Sequence, residues 1–156
     1  MIRNADKATT YGAEAGVSWN PSKGNQIYAN IGLLKTRVNR YDDPLIEGNE
    51  LLHAPAFMSD VGFSFSPDGR FEMGGDVRYT DSYYSDVFSD ARGKVSPYAA
   101  VNANLAYNIG PARLSLAIRN LLNSGHPIEY VLYGGAVYGA TVLQPRTVTG
   151  GVELRF

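Results

Sequence analysis

Hydrophobic and polar residues alternate along seven stretches of this chain, always with a period of two. Odd-numbered positions are apolar or small over 11–19 of the stretch 8–19 (Tyr11, Ala13, Ala15, Val17, Trp19) and over 27–33 of the stretch 26–37 (Ile27, Ala29, Ile31, Leu33), and, Ser59 apart, over 57–65 of the stretch 56–66 (Phe57, Val61, Phe63, Phe65). The same holds over 70–80 (Phe71, Met73, Val77, Tyr79) and 98–109 (Val101, Ala103, Leu105, Tyr107, Ile109). Even-numbered positions take over in 112–120 (Leu114, Leu116, Ile118) and in the last stretch, 148–156, where Val148, Gly150, Val152, Leu154 and Phe156 share one side. Alternation of this kind predicts strands with one apolar and one polar face. No segment carries a 3.6-residue stripe that would predict an amphipathic helix.

The two faces differ sharply in charge. The apolar face carries none, and Ser59 is its one clearly polar member. The opposite face holds Glu14, Asp60, Glu72, Asp76, Arg78, Arg113, Arg119, Glu153 and Arg155. The connections alternate as well. Asn20-Pro21-Ser22-Lys23-Gly24, Ser66-Pro67-Asp68-Gly69 and Gly110-Pro111 are short turns, in which proline presets φ and glycine accepts positive φ. Between them run long connections at 38–55, 81–97 and 121–146, a length uncommon in compact soluble domains unless the loop is functional.

Short turns on one side and long loops on the other is the pattern of an outer-membrane β-barrel, with the short turns periplasmic. Trp19, Phe65, Phe71 and Tyr107 lie on the apolar face beside short turns, and Phe156 ends the chain on the same side. Tyr11, Phe57 and Tyr79 lie at the other end of that face. Two aromatic bands are what an interfacial girdle requires. The competing reading of the same rings is a β-sandwich core, where aromatics bury anywhere along a strand.

Composition removes several function classes. A net charge of -1 gives no electrostatic case for nucleic acid. There is no cysteine, hence no disulfide and no thiolate metal site. His53 and His126 are single loop histidines without a ligand set around them, and the acidic loop of Asp42, Asp43, Glu47 and Glu50 reads as solvated surface. Gly74-Gly75 and Gly134-Gly135 lack the strand-to-helix context of a phosphate loop. No catalytic constellation emerges, so the chain is read as no enzyme and as needing no cofactor. Gly62, Gly74 and Gly151 fall on the polar face, where small residues make room or relieve twist.

The expected fold is therefore all-β, an antiparallel up-and-down transmembrane β-barrel segment of about seven strands. Bacterial single-chain barrels use even strand numbers, and an open edge in lipid leaves backbone groups unpaired. The N-terminal Met1-Ile2-Arg3-Asn4-Ala5-Asp6-Lys7 has no hydrophobic signal core. Both points lead to the expectation of an incomplete barrel, residues 1–156 forming its C-terminal part.

Several motifs resemble those of the TonB-dependent outer-membrane receptors. Thr10-Tyr11-Gly12-Ala13-Glu14 resembles the family's strand start after a surface loop, and His53-Ala54-Pro55 its loop exit. Lys94-Val95-Ser96-Pro97-Tyr98 resembles another strand start, and Arg119-Asn120-Leu121-Leu122-Asn123 the motif closing the penultimate strand. Gln144-Pro145-Arg146-Thr147 resembles the approach to the last strand. The departure is Leu122-Asn123, where the family usually has an aromatic and an acid. The final strand, with Val148, Gly150, Val152, Leu154 and Phe156 in alternation, resembles the C-terminal signal read by the bacterial barrel-assembly machinery.

The resemblance implies the last strands of a barrel of about 22, an N-terminal plug, and a segment contacting the TonB system, the last two absent from this sequence. It implies residence in the bacterial outer membrane, contact with its lipid, and import of ferric siderophores or other scarce nutrients, with a metal chelate as ligand. The loops contain Tyr83, Tyr84, Tyr130, Tyr133 and Tyr138, a composition suited to a bulky, partly planar ligand. The polar-face charges admit two readings, plug docking and a hydrated wall. Two other classes stay open on the sequence: a passive porin-like or structural barrel, and a soluble β-sandwich or lipocalin-like binder.

Overall fold

The computed structural model describes residues 7–155. Its main body is one antiparallel sheet of seven strands that does not close on itself. In chain order the strands are β1 (Lys7–Ser22), β2 (Asn25–Arg40), β3 (Phe57–Phe65), β4 (Phe71–Thr80), β5 (Tyr83–Tyr84), β6 (Lys94–Val95), β7 (Tyr98–Ile109), β8 (Ala112–Arg119), β9 (Pro127–Tyr133), β10 (Ala136–Val142) and β11 (Thr147–Leu154). The large sheet runs β1-β2-β3-β4-β7-β8-β11, an up-and-down order with no crossover among large strands. All seven expected strands are present, and β1 and β2, at 16 residues each, extend past the predicted ends at 19 and 37.

Register carries the alternation across the sheet. Trp19 faces Ile27, Ile27 faces Phe63, and Phe63 faces Gly75. Gly75 faces Ala103, Ala103 faces Ile118, and Ile118 faces Val148. A slip of one residue in any ladder would throw its apolar set onto the opposite face. None occurs within the alternating stretches, so seven separate patterns merge into one continuous apolar surface. Nothing among the described residues covers it: Trp19 is 62 % and Val61 49 % exposed.

The short turns are locally built. Asp68 accepts from the N–H groups of Arg70 (2.9 Å) and Phe71 (3.0 Å), which starts β4, and these bonds hold its carboxyl below the usual range. Gly110 turns between β7 and β8 at φ 54°.

The long connections carry structure of their own. Residues 41–56 run back along β2: Val38 donates to the Asn49 carbonyl (2.9 Å) and accepts from Gly48 N–H (2.8 Å). The second loop pairs β5 with β6 around a short 3-10 turn, Ala91–Gly93. The third contains the hairpin β9–β10. These three loops pack together, and most of the buried apolar side chains among the described residues lie in or against them: Ile46, Tyr83 and Val95, the last fully enclosed, and Val38 at the end of β2. Apart from Val38, at the loop end of β2, the large sheet buries only Ala106 among its described apolar residues.

Candidate functional site

Three surfaces carry the sequence-predicted residues. On the apolar face, Phe71 lies opposite Tyr107 across β4 and β7, while Trp19 and Phe65 sit at the turn ends of β1 and β3. At the far end the rings of Phe57 and Tyr79 approach to 5.9 Å. Val148, Gly150, Val152 and Leu154 of β11 face Ile118, Leu116, Leu114 and Ala112, all on the apolar side. Phe156 lies outside the described residues.

The polar face is a wall of paired charges. Glu72 receives a bidentate contact from the Arg113 guanidinium, with Nη2 at 2.7 Å from Oε2, and accepts from Asn108 Nδ2 at 3.1 Å. Arg78 Nε lies 3.5 Å from Asp60 Oδ2, and Arg155 Nε 3.2 Å from Glu153. Asn102 donates to Asp76 (2.8 Å), and its carbonyl oxygen accepts from the Asn120 N–H (3.1 Å). Among the described residues Glu14 and Arg119 show no side-chain partner. Beside them lie two open hollows, one of about 470 Å³ at Glu14, Asn30, Asp60 and Arg78, and one of about 580 Å³ at Asp76, Asn102, Arg119 and Gln144.

Glycines keep this wall flat. The Tyr28 ring lies across Gly62, where a Cβ would fall about 2.5 Å from the ring. Asn104 covers Gly74, and Ser115 covers Gly151, in the same way. The sequence marks all three glycines; what it does not reveal is that a larger neighbour on the next strand occupies each space.

The third surface is the loop cap, at the end opposite the short turns. Tyr83 is 8 % exposed, and its hydroxyl donates to the Ile128 carbonyl at 2.6 Å. Burial, then the hydrogen bond with Tyr98, pushes that phenol above its usual range. Tyr130 is half-buried, with its N–H on Ser85 Oγ (2.9 Å), and Tyr84 lies under the Lys94 ammonium at 5.4 Å. Tyr133 and Tyr138, by contrast, are 79 % and 82 % exposed at the hairpin tip. Of the five candidate tyrosines, these two are open to a ligand while Tyr83 acts as a post inside the cap.

Further ties were not foreshadowed by the sequence. Arg92 binds Asp90 and also donates to the Gly135 carbonyl at the hairpin tip. The Arg92 contact lowers the Asp90 carboxyl to about 2. His53 approaches Glu129, and His126 Nε2 donates to the Ser96 carbonyl (3.0 Å). Asn120, at φ 49° and buried, closes the base of the third loop by donating to the carbonyls of Ser124 (2.9 Å) and Gln144 (2.8 Å). A cavity of about 340 Å³ opens between the first two loops, beside Asn49, Asp81, Tyr84, Ser89 and Lys94. Among the described residues no group of three or more potential metal ligands is assembled.

Comparison with known proteins gives one family. A model described as TonB dependent receptor-like, beta-barrel matches residues 1–121. The ferric yersiniabactin uptake receptor FyuA of Yersinia pestis superposes with a TM-score of 0.83 at 20 % identity, covering 98 % of this chain and 24 % of that one. The siderophore receptor PiuA of Acinetobacter baumannii gives 0.77 at 20 % identity, with 93 % and 21 % coverage. A curated protein, the ADP-forming sulfoacetate-CoA ligase subunit SauC of Bilophila wadsworthia, is 29 % identical over 138 residues, 81 % of this chain and 35 % of its own length. The chain thus spans about a quarter or less of these solved structures and about a third of the curated relative.

Proposed function

The chain belongs to the TonB dependent receptor-like β-barrel family, and from that premise we propose that it forms the C-terminal part of an active importer of a scarce nutrient carried as a metal chelate. Its place is the bacterial outer membrane, with the apolar face of the seven strands toward lipid. The observation that carries this is the unbroken register of that face from β1 to β11, with the charges gathered on the other side. A sheet in water would hide the first and expose the second; this one is built for the reverse.

The polar wall then lines the lumen. Its paired charges offer a hydrated surface, and Glu14 and Arg119 are the positions free to meet a plug. Loop tyrosines Tyr133 and Tyr138 face the medium from which the chelate arrives. The last strand presents Val148, Gly150, Val152 and Leu154 to the barrel-assembly machinery, and energy reaches the barrel through a TonB system acting on other parts of the receptor. The chain is a transport module and no enzyme, and the ligase activity named for the curated relative is not assigned to it.

The test is uptake of a labelled ferric chelate by cells that depend on the full-length protein. Accumulation against a gradient that stops when TonB is removed or the proton gradient is dissipated is the expected result. Uptake indifferent to both, as through a passive porin-like barrel, overturns the reading.

A further inference from the structure

His53 joins all three outer loops at one point. Its backbone is left-handed, at φ 53°, a conformation few non-glycine residues hold without a reason. Its N–H donates to the Tyr84 carbonyl in the second loop (2.9 Å). Its ring stands edge-on to Tyr83, with centroids 5.9 Å apart and planes at 82°. Its Nε2 lies 3.7 Å from Glu129 Oε1 on β9, in the third loop. The other Glu129 oxygen accepts from Thr141 Oγ1 of β10 at 3.2 Å, which aims the first at His53.

At 3.7 Å the two groups are too far apart for a neutral hydrogen bond yet close enough for an ion pair. We propose that His53 is a proton-operated clasp: when the imidazole takes up a proton it draws in Glu129, and the first loop is fastened to the β9–β10 hairpin. Histidine changes charge between pH 5 and 8, while carboxylates stay ionised there. The clasp therefore closes as pH falls through that range and slackens as it rises. The titratable groups that face the imidazole are Glu129 from β9 and the Tyr83 phenol from β5, and the phenol, engaged with Ile128, remains neutral. Lys94 of β6 is turned to the Tyr84 ring, 5.4 Å from its centroid. The Asp90 carboxyl, held to about 2, does not titrate in this window. The clasp goes beyond the transport reading and does not depend on what cargo, if any, passes.

Hydrogen exchange on the full-length protein in detergent micelles tests it, with rates at pH 5.5 and 7.5 corrected for intrinsic exchange. Both partners are 43 % exposed, so the tie is modest, and protection across residues 127–142 is expected to be about two- to fivefold higher at pH 5.5. His53→Asn removes the charge and tolerates the left-handed backbone. Glu129→Gln removes the partner and keeps the Thr141 contact. Each variant is expected to flatten the pH ratio, while His126→Asn leaves it intact. If His53→Asn fails to fold, Glu129→Gln alone decides the matter. A wild-type ratio near one, a ratio that survives in either folded variant, or a ratio lost in His126→Asn overturns the proposal.

Discussion

Arginine in place of Val61 tests the inside-out sheet most directly. Val61 is the middle of five apolar-face positions on β3, with Phe57 and Phe65 at the ends and Ala29 and Val77 across the ladders. Eight residues at about 3.4 Å each, tilted by about 40°, raise Phe65 from Phe57 by about 20 Å, close to the height of a barrel's apolar band. On the proposed membrane reading, Val61 is therefore expected near the bilayer midplane. An arginine there is expected to cost about 2–4 kcal/mol, or about 30- to 900-fold in the folding equilibrium. Two controls share the chemistry and change only the place. Ser64→Arg on the polar face of β3, opposite Gln26 and Gly74, meets water, and Leu154→Arg near the end of β11 meets the interface. Both are expected to cost no more than about 1 kcal/mol. The assay is urea-titrated folding of the full-length protein into lipid vesicles, read by the gel-mobility difference between folded and unfolded barrel. Equal costs for Val61→Arg and Ser64→Arg would refute the assignment of faces.

Gly62→Val forces the Tyr28 ring off the wall and is expected to cost about 1–3 kcal/mol in the same titration; adding Tyr28→Ala should recover part of the loss, and no recovery would show that the ring is not the obstacle. Asn120→Ala loses both the side-chain bonds and the tolerance of positive φ, whereas Asn120→Gly loses only the bonds; protease cleavage within 121–146 should rise in both and rise further for alanine. The Asp90 carboxyl is depressed in the folded state, so its contribution is present above the ordinary value of 3.8 and is lost as pH falls toward about 2. Spin labels at residues 88 and 137 should accordingly show a distance distribution that broadens between pH 4 and 2 by electron–electron resonance, and Arg92→Gln should show that breadth already at pH 6.

The large strands are legible because a two-sided sheet prints its period on the sequence. Phe57, Val61, Phe63 and Phe65 mark β3 without any tertiary information, since one face of the sheet is apolar along nearly its whole length. The alternation of β2 stops short of the strand's end because Thr36 and Val38 leave the polar wall and bury beneath the first loop, breaking the pattern. The β9–β10 hairpin escapes the same kind of reading for a related reason. Ile128, Tyr130, Val131, Leu132 and Tyr133 are apolar on both faces, so no alternation shows. Its turn signal is nevertheless present: Gly134 and Gly135, at φ 58° and 78°, are the two-residue loop of a hairpin. Among the candidate tyrosines, composition does not separate the buried post Tyr83 from the open pair Tyr133 and Tyr138, because that distinction rests on contacts 45 residues apart. The pairing of His53 with Glu129 is equally nonlocal.

The interlocked cap restricts how this surface can diversify. Gly93 packs so closely on Leu132 that a Cβ there would approach it to 3.0 Å, and Arg92 of the second loop grips the Gly135 carbonyl of the third. A change at Gly93 or Arg92 is therefore expected to need a matching change at Leu132 or in the hairpin, so loops 81–97 and 121–146 should vary together. At the hairpin the side chains of Tyr133 and Tyr138 stand clear of their neighbours, although Arg92 holds the Gly135 backbone between them. Among related sequences, variation should concentrate at those two side chains and fall away toward Gly135 and Leu132.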